Sequence, residues 1–250
     1  MKIFRKLRRK LLASGKTKSY FVYAFGEIVL IVIGILIAWK INSLNEVRKN
    51  RIVELKIYQS LNEELNTNLK LLDSSIVGYA QNIQSIQNTI KIIRSEDQEL
   101  TEDIKEVIIN VNYKATKLQS GAINSVSSTN KFEFIESDLL RDLIASYPNE
   151  LNGFEKQEAK IENIVINRLQ PAIESYVSLI DILLTRELKY GKTQSLSKQS
   201  DYIELLNNRE YQNVLVDRLL QTESQLIISN NLRDKTQMIA FKLNKELGNQ

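Results

Sequence analysis

Residues 20–39 read YFVYAFGEIVLIVIGILIAW, twenty consecutive and largely apolar residues with a single charge, Glu27. As a helix rising about 1.5 Å per residue, this run is about 30 Å long, the thickness of a bilayer's hydrocarbon core. The pattern predicts one transmembrane helix near the N-terminus. The rest of the chain is read around that span.

The stretch before the span holds Lys2, Arg5, Lys6, Arg8, Arg9, Lys10, Lys16 and Lys18 and no acid. After the span comes Lys40, and the next basic residue is Arg48. An excess of Lys and Arg stays on the cytoplasmic side. Residues 1–19 are therefore expected to be a basic cytoplasmic tail, residues 20–39 the span, and residues 40–250 an exterior domain. Arg5, Lys6, Arg8, Arg9 and Lys10 are expected to lie against anionic lipid headgroups. The apolar run exceeds the core of a cleaved signal peptide, and Ala38-Trp39-Lys40 is no small-residue cleavage site. Tyr20 and Trp39 suit the two interfacial belts.

The formal net charge of +4 belongs to the tail. Eight basic residues precede the span, Glu27 offsets Lys40, and residues 41–250 carry 25 basic against 29 acidic residues. That distribution points to a lipid surface and gives no sign of a nucleic-acid partner.

The chain has neither cysteine nor histidine. Disulfides, thiol nucleophiles, histidine-based triads and zinc sites of the Cys or His-Glu-x-x-His type are thereby excluded. No phosphate-cradling glycine motif occurs among its eight glycines. Acid–base work would fall to paired carboxylates such as Glu63 and Glu64, or Glu96 and Asp97. Both pairs lie in polar stretches and are expected to be solvated helix faces or ends. The expectation is a protein that is not an enzyme, with no cofactor and no metal.

Beyond the span helical periodicity dominates, and only Pro148 and Pro171 interrupt it. Tyr58, Leu61, Leu65, Leu72, Ile76, Tyr79, Ile83, Ile86, Ile90 and Ile93 form a heptad seam with one skipped step at Asn68. One helix is predicted from the span to about Ile93, roughly 110 Å long. Its seam buries either in an intramolecular core or in a parallel coiled coil between protomers.

Ser95-Glu96-Asp97-Gln98 reads as a break with a capping box. A second helix is predicted from Thr101 to about Gln119, with Ile104, Ile108, Val111 and Ala115 on one side. Gly121 to Ser137 is the least regular stretch. A short helix is predicted from Asp138 to Tyr147, stopped by Pro148 and Gly153. A long one is predicted from Phe154 to Tyr190, kinked at Pro171 and closed by Lys189-Tyr190-Gly191. Its expected face is Ile161, Val165, Leu169, Ala172, Tyr176, Leu179 and Leu183. After a polar linker, Asp201 opens a short helix and Asn207-x-x-Glu210 suits the next start. The last helix is expected to reach Leu247, burying Tyr211, Leu215, Leu219, Leu226, Leu232, Ile239 and Leu243. The fold class expected is all-α, one N-terminal transmembrane helix continuing into an elongated extracytoplasmic antiparallel helical bundle.

Within the span, Glu27, Ile31, Gly34 and Ala38 share one helix face. A carboxyl about 10 Å inside the hydrocarbon is expensive unless paired, neutral or hydrated. Gly34-x-x-x-Ala38 is a small-residue notch that lets another helix approach. The face is expected to serve helix–helix contact, through self-association or with another membrane protein.

Tyr23 to Glu46, YAFGEIVLIVIGILIAWKINSLNE, resembles the signature of an uncharacterised family of bacterial single-span proteins, a domain of unknown function common in Bacteroidota. Gly26, Glu27, Gly34, Ala38, Asn42, Asn45 and Glu46 match it, and Leu44 stands where members usually carry Trp. A looser match covers Ser127 to Tyr147, through Phe132, Phe134, Ile135, Leu140 and Arg141. The resemblance implies an envelope location and, for a two-membrane bacterium, a periplasmic domain on the inner membrane. It implies no activity. The expected function is therefore binding, as a scaffold or accessory subunit of an envelope complex. The alternative is a sensory module working through a partner, because 19 residues before the span leave no room for an output domain.

Overall fold

The computed structural model describes residues 17–95, 100–178 and 200–248, and these are mostly helical with no strand among them. In chain order come α1 (Thr17–Arg94), α2 (Glu102–Ile108), α3 (Gly121–Ser127), a 3-10 turn (Asn130–Phe134) and α4 (Asp138–Ile164). A π turn (Val165–Leu169), α5 (Gln170–Glu174), α6 (Tyr202–Asn207) and α7 (Arg209–Gly248) follow. The predicted first helix is present and ends one residue beyond Ile93. The chain divides into two units, Met1–Leu55 and Lys56–Gln250.

In the first unit, the most apolar window of α1 has a mean hydropathy of 2.6 and none of it is buried. Phe21, Leu30, Ile35 and Trp39 stand open. A helix that is apolar all round and unburied has the length and composition to cross a membrane.

In the second unit, α1, α4 and α7 build two apolar cores. One joins Tyr58, Leu65 and Leu72 to Ile144, Tyr147 and Phe154 and to Leu232, Ile239 and Leu243. The other gathers Ile86 and Ile108 with Leu169 and Ile173 and with Tyr211 and Leu215. The α1 seam therefore packs within the chain. Each large side chain so buried contributes about 1.5–3 kcal/mol before the entropy of ordering it.

Along each of the three helices, a buried polar stretch separates the residues of the two cores. It comprises Tyr79 on α1, Gln157 and Glu158 on α4, and Arg218, Thr222, Gln225 and Ser229 on α7. The expected face of α7 is thus corrected at its centre. Leu219 and Leu226 are only half-buried, while the four polar residues take the interior.

Other expectations are corrected too. Pro148 and Gly153 do not stop a helix; both lie inside α4. Leu140, Ile144, Tyr147, Leu151 and Phe154 stay on one buried face across the proline. Five such side chains at about 2 kcal/mol each outweigh the roughly 3 kcal/mol of an interior proline. The helix expected to run on to Tyr190 changes at Val165, where a π turn places the Gln170 N–H on the carbonyl of Val165, five residues back. This wide turn directly precedes Pro171, which has no N–H to offer.

Helix then gives out at Glu174, and Val177 turns into the second core. Residues 179–199, which hold the Lys189-Tyr190-Gly191 stop and the linker, lie outside the described residues.

Ser95 does not cap the next helix. Its hydroxyl donates back to the Ile92 carbonyl at 2.8 Å, and Thr101 caps α2 by accepting from the Ile104 N–H. Glu96 to Gln98 lie outside the described residues. Asp201 caps α6 as expected, with the Glu204 N–H at 2.8 Å. The start of α7 is capped by Asn208 instead of Asn207; its Oδ1 accepts from the Tyr211 N–H at 2.9 Å.

Candidate functional site

The predicted intramembrane face is carried as a stripe on α1. Ile31, Gly34 and Ala38 are exposed and Glu27 is half-buried. A Cβ added to Gly34 would meet nothing within 4 Å, so the notch is open. Arg5, Lys6, Arg8, Arg9 and Lys10 lie outside the described residues, as does the side chain of Tyr20.

The second concentration of chemistry went unread in the sequence. Residues 101–119 do not form one helix. Helix α2 stops at Ile108, and Asn110 to Ser120 have no regular structure. Contacts along α1 show how far this strap reaches. Asn110 meets Ser85 at one end, and Gln119 meets Asn68 at the other. Nine residues of strap thus cover seventeen of helix, about 25 Å, or about 2.8 Å per residue. That is close to the rise of a strand and nearly twice that of a helix. The strap is an extended segment running along α1 in the opposite direction.

Buried polar side chains hold it there. The Arg218 guanidinium donates from Nη1 to the Asn110 carbonyl at 2.7 Å and from Nη2 to the Asn112 carbonyl at 2.8 Å. The Tyr211 hydroxyl donates to the Ile108 carbonyl at 2.7 Å. Glu158 Oε2 accepts from the Thr116 N–H at 2.7 Å, and its Oε1 accepts from the Tyr79 hydroxyl. The Tyr113 hydroxyl donates to the Glu158 carbonyl at 3.0 Å. Asn68 makes a two-way pair with Gln119: its amide donates to the carbonyl at 2.8 Å, and its oxygen accepts from the N–H at 2.7 Å. Just past the strap, Glu64 caps α3 by accepting from the N–H groups of Ala122 and Ile123 at 2.6 and 3.1 Å.

These bonds explain why so many polar groups tolerate burial. An unpartnered donor or acceptor in the interior costs about 1–3 kcal/mol, and here the strap's backbone supplies partners for Arg218, Glu158 and Asn68. Glu64, expected on a solvated face, is 7% exposed and engaged by both oxygens. Glu63 remains exposed, bonded by Gln59. The skipped step of the heptad seam has its reason as well: Asn68 is fully buried because the seam there meets backbone.

The electrostatics follow from the packing. Burial pushes the Glu158 carboxyl above its ordinary range, against the bonds from Tyr79 and Thr116 that favour its ionised form. Burial also pushes up the Tyr79 hydroxyl, and the Glu158 carboxylate adds to that rise. Burial raises Tyr113, with Glu158 and Glu162 close by, and it raises Tyr211. The Arg218 guanidinium is pulled down to about 10 by burial, which leaves it charged at neutral pH.

A groove runs between the strap and α1. Its larger lobe, about 850 Å³, is lined by Leu71, Ser74, Gly78 and Asn82 of α1 and by Lys114 and Lys117 of the strap, among others. A second lobe of about 500 Å³ shares Gly78, Gln81, Asn82 and Lys114 and reaches Ser85 and Asn110. Gly78 lies in both lobes, and a Cβ there would meet nothing within 4 Å. Among the described residues no three acids gather as a metal site. Comparisons with known protein families, curated proteins and solved structures return no match for this chain.

Proposed function

We propose that the chain is an inner-membrane-anchored, periplasmic helical-bundle protein that works by binding, as a scaffold or accessory subunit of an envelope complex. One observation carries this reading. The apolar stretch of α1 is unburied at a mean hydropathy of 2.6, while Lys56–Gln250 closes apolar cores of its own. Order of contact along the helices supports an antiparallel bundle. Glu150 meets Lys235, Gln157 meets Gln221, and Arg168 meets Asp217, so numbers rise along one helix as they fall along the other. The resemblance of Tyr23 to Glu46 to the single-span family supports the envelope location.

Orientation is tested by reporters fused after Gln250. The eight basic residues before the span predict an active alkaline phosphatase and an inactive cytoplasmic reporter. A fusion active only in the cytoplasm would refute the topology.

The membrane face is tested by cross-linking from the span in mild detergent, read by mass spectrometry. Glu27→Leu is expected to lower the yield of the partner adduct about three- to tenfold, the range of an interhelical hydrogen bond of about 0.6–1.4 kcal/mol. Gly34→Leu should lower it by filling the notch, and Ile33→Leu, off that face, should leave it unchanged. Equal yields from all three variants, or no adduct at all, would overturn the contact.

A further inference from the structure

Between residues 110 and 117 the strap presents two backbone edges, and the chain's hydrogen bonds fall on one of them. Carbonyls 110 and 112 and the N–H of Thr116 point to Arg218 and Glu158. In an extended chain, alternate residues turn their N–H and C=O to opposite sides. The intervening residues, Val111, Tyr113, Ala115 and Lys117, have backbone groups that make no hydrogen bond to any described residue. Such a row is a template for another extended backbone, since only a strand repeats donors and acceptors at that spacing.

The strap's Lys114 and Lys117 line the adjoining groove, and both are exposed. Among the described residues no acid lines either lobe, and neither lysine has an ion-pair partner. From Leu71 to Ser85 the groove follows about 21 Å of helix, room for about six residues of extended peptide. The lysines repel the same edge of a second copy and attract carboxylates. Gly78 adds to this. An interior helix glycine gives up about 1 kcal/mol against alanine, and no neighbour in the chain requires it here; its missing side chain leaves the groove open.

We propose that the outer edge of the strap and the groove beside it bind an extended, acidic segment of a partner protein, which adds as a strand along residues 111–117. The partner's backbone pairs with the free N–H and C=O groups, and its carboxylates meet Lys114 and Lys117. This goes beyond the membrane reading and rests on Lys56–Gln250 alone, so it stands or falls whatever the span contacts.

The test uses the full chain in detergent micelles and a fluorescein-labelled octapeptide of alternating glutamate and valine, read by fluorescence polarisation. Saturable binding is expected at about 10–100 μM. A peptide of the same sequence N-methylated at every residue keeps its charge and loses its donors, and it should bind at least about tenfold more weakly. Lys114→Glu with Lys117→Glu should weaken binding at least about tenfold, with the circular dichroism melt unchanged because both residues are exposed. Ala115→Pro removes an N–H that the chain itself does not use, and should abolish binding with the fold intact. Absence of saturable binding up to about 1 mM overturns the proposal. So does equal binding of the methylated peptide, or competition by single-stranded DNA of equal charge, since either would mean that charge alone is recognised.

Discussion

Replacing Glu158 with alanine is expected to lower the unfolding free energy at neutral pH by about 2 kcal/mol or more. The change removes the acceptor that the Tyr79 hydroxyl and the Thr116 N–H both use, and leaves the buried N–H without a partner. Relief from burying an ionised group offsets part of that loss. Glutamine gives the sharper result. Its carbonyl can accept from Thr116 while its amide donates to the Tyr79 oxygen, and it does not titrate. Burial raises the Glu158 carboxyl above its ordinary 4.5, so its stabilising contribution is full below that pH and is lost as pH rises through the raised value. Urea midpoints of Glu158→Gln and the wild type should therefore diverge in favour of glutamine as pH rises above the carboxyl's ordinary 4.5. Parallel curves, or divergence the other way, would refute the assignment.

Arg218→Met should cost about 3 kcal/mol, because two charge-assisted bonds to the Asn110 and Asn112 carbonyls disappear together. Methionine keeps much of the apolar stem, so the loss reports the guanidinium. Arg218→Lys should fall between the two, since an ammonium cannot match a planar fork that reaches two carbonyls. A local readout separates strap release from general loosening. Trypsin should cut after Lys114 and Lys117 far faster in Arg218→Met than in the wild type, well before sites within α4 and α7. Uniform cleavage would mean that Arg218 supports the helices and not the strap.

Much of the architecture was legible as periodicity. The seam from Tyr58 to Ile86 marked the buried face of α1, and Asp201 marked the start of α6, because local pattern and capping chemistry both act within a few residues. The strap was not legible. Ile104, Ile108, Val111 and Ala115 sit at helical spacing, yet the segment from Asn110 is pulled straight by Arg218, Glu158 and Asn68, whose partners lie 42 to 108 residues away in sequence. Tertiary hydrogen bonding overrode local propensity. The one trace was negative: an asparagine in the apolar seam of α1 and polar residues at the inward positions of α7. Such interruptions mark places where a helix receives backbone in place of side chains. Pro148 misled in the reverse sense, since breaker chemistry is local and the packing that overrides it is not. The helix long and apolar enough to cross a membrane was legible from length and composition alone.

The polar layer between the two cores also settles how the helices align. Heptad faces of Leu and Ile are nearly self-similar, so one helix could slide past another by seven residues, about 10 Å, and still bury apolar side chains. Such a slide would carry Arg218 away from its carbonyls and bring Glu158 against leucine and isoleucine. A slide of that length would leave both buried charges without the partners they have here. These few polar residues, which add little to the attraction between the helices, thus select one vernier setting from several that the apolar pattern would accept.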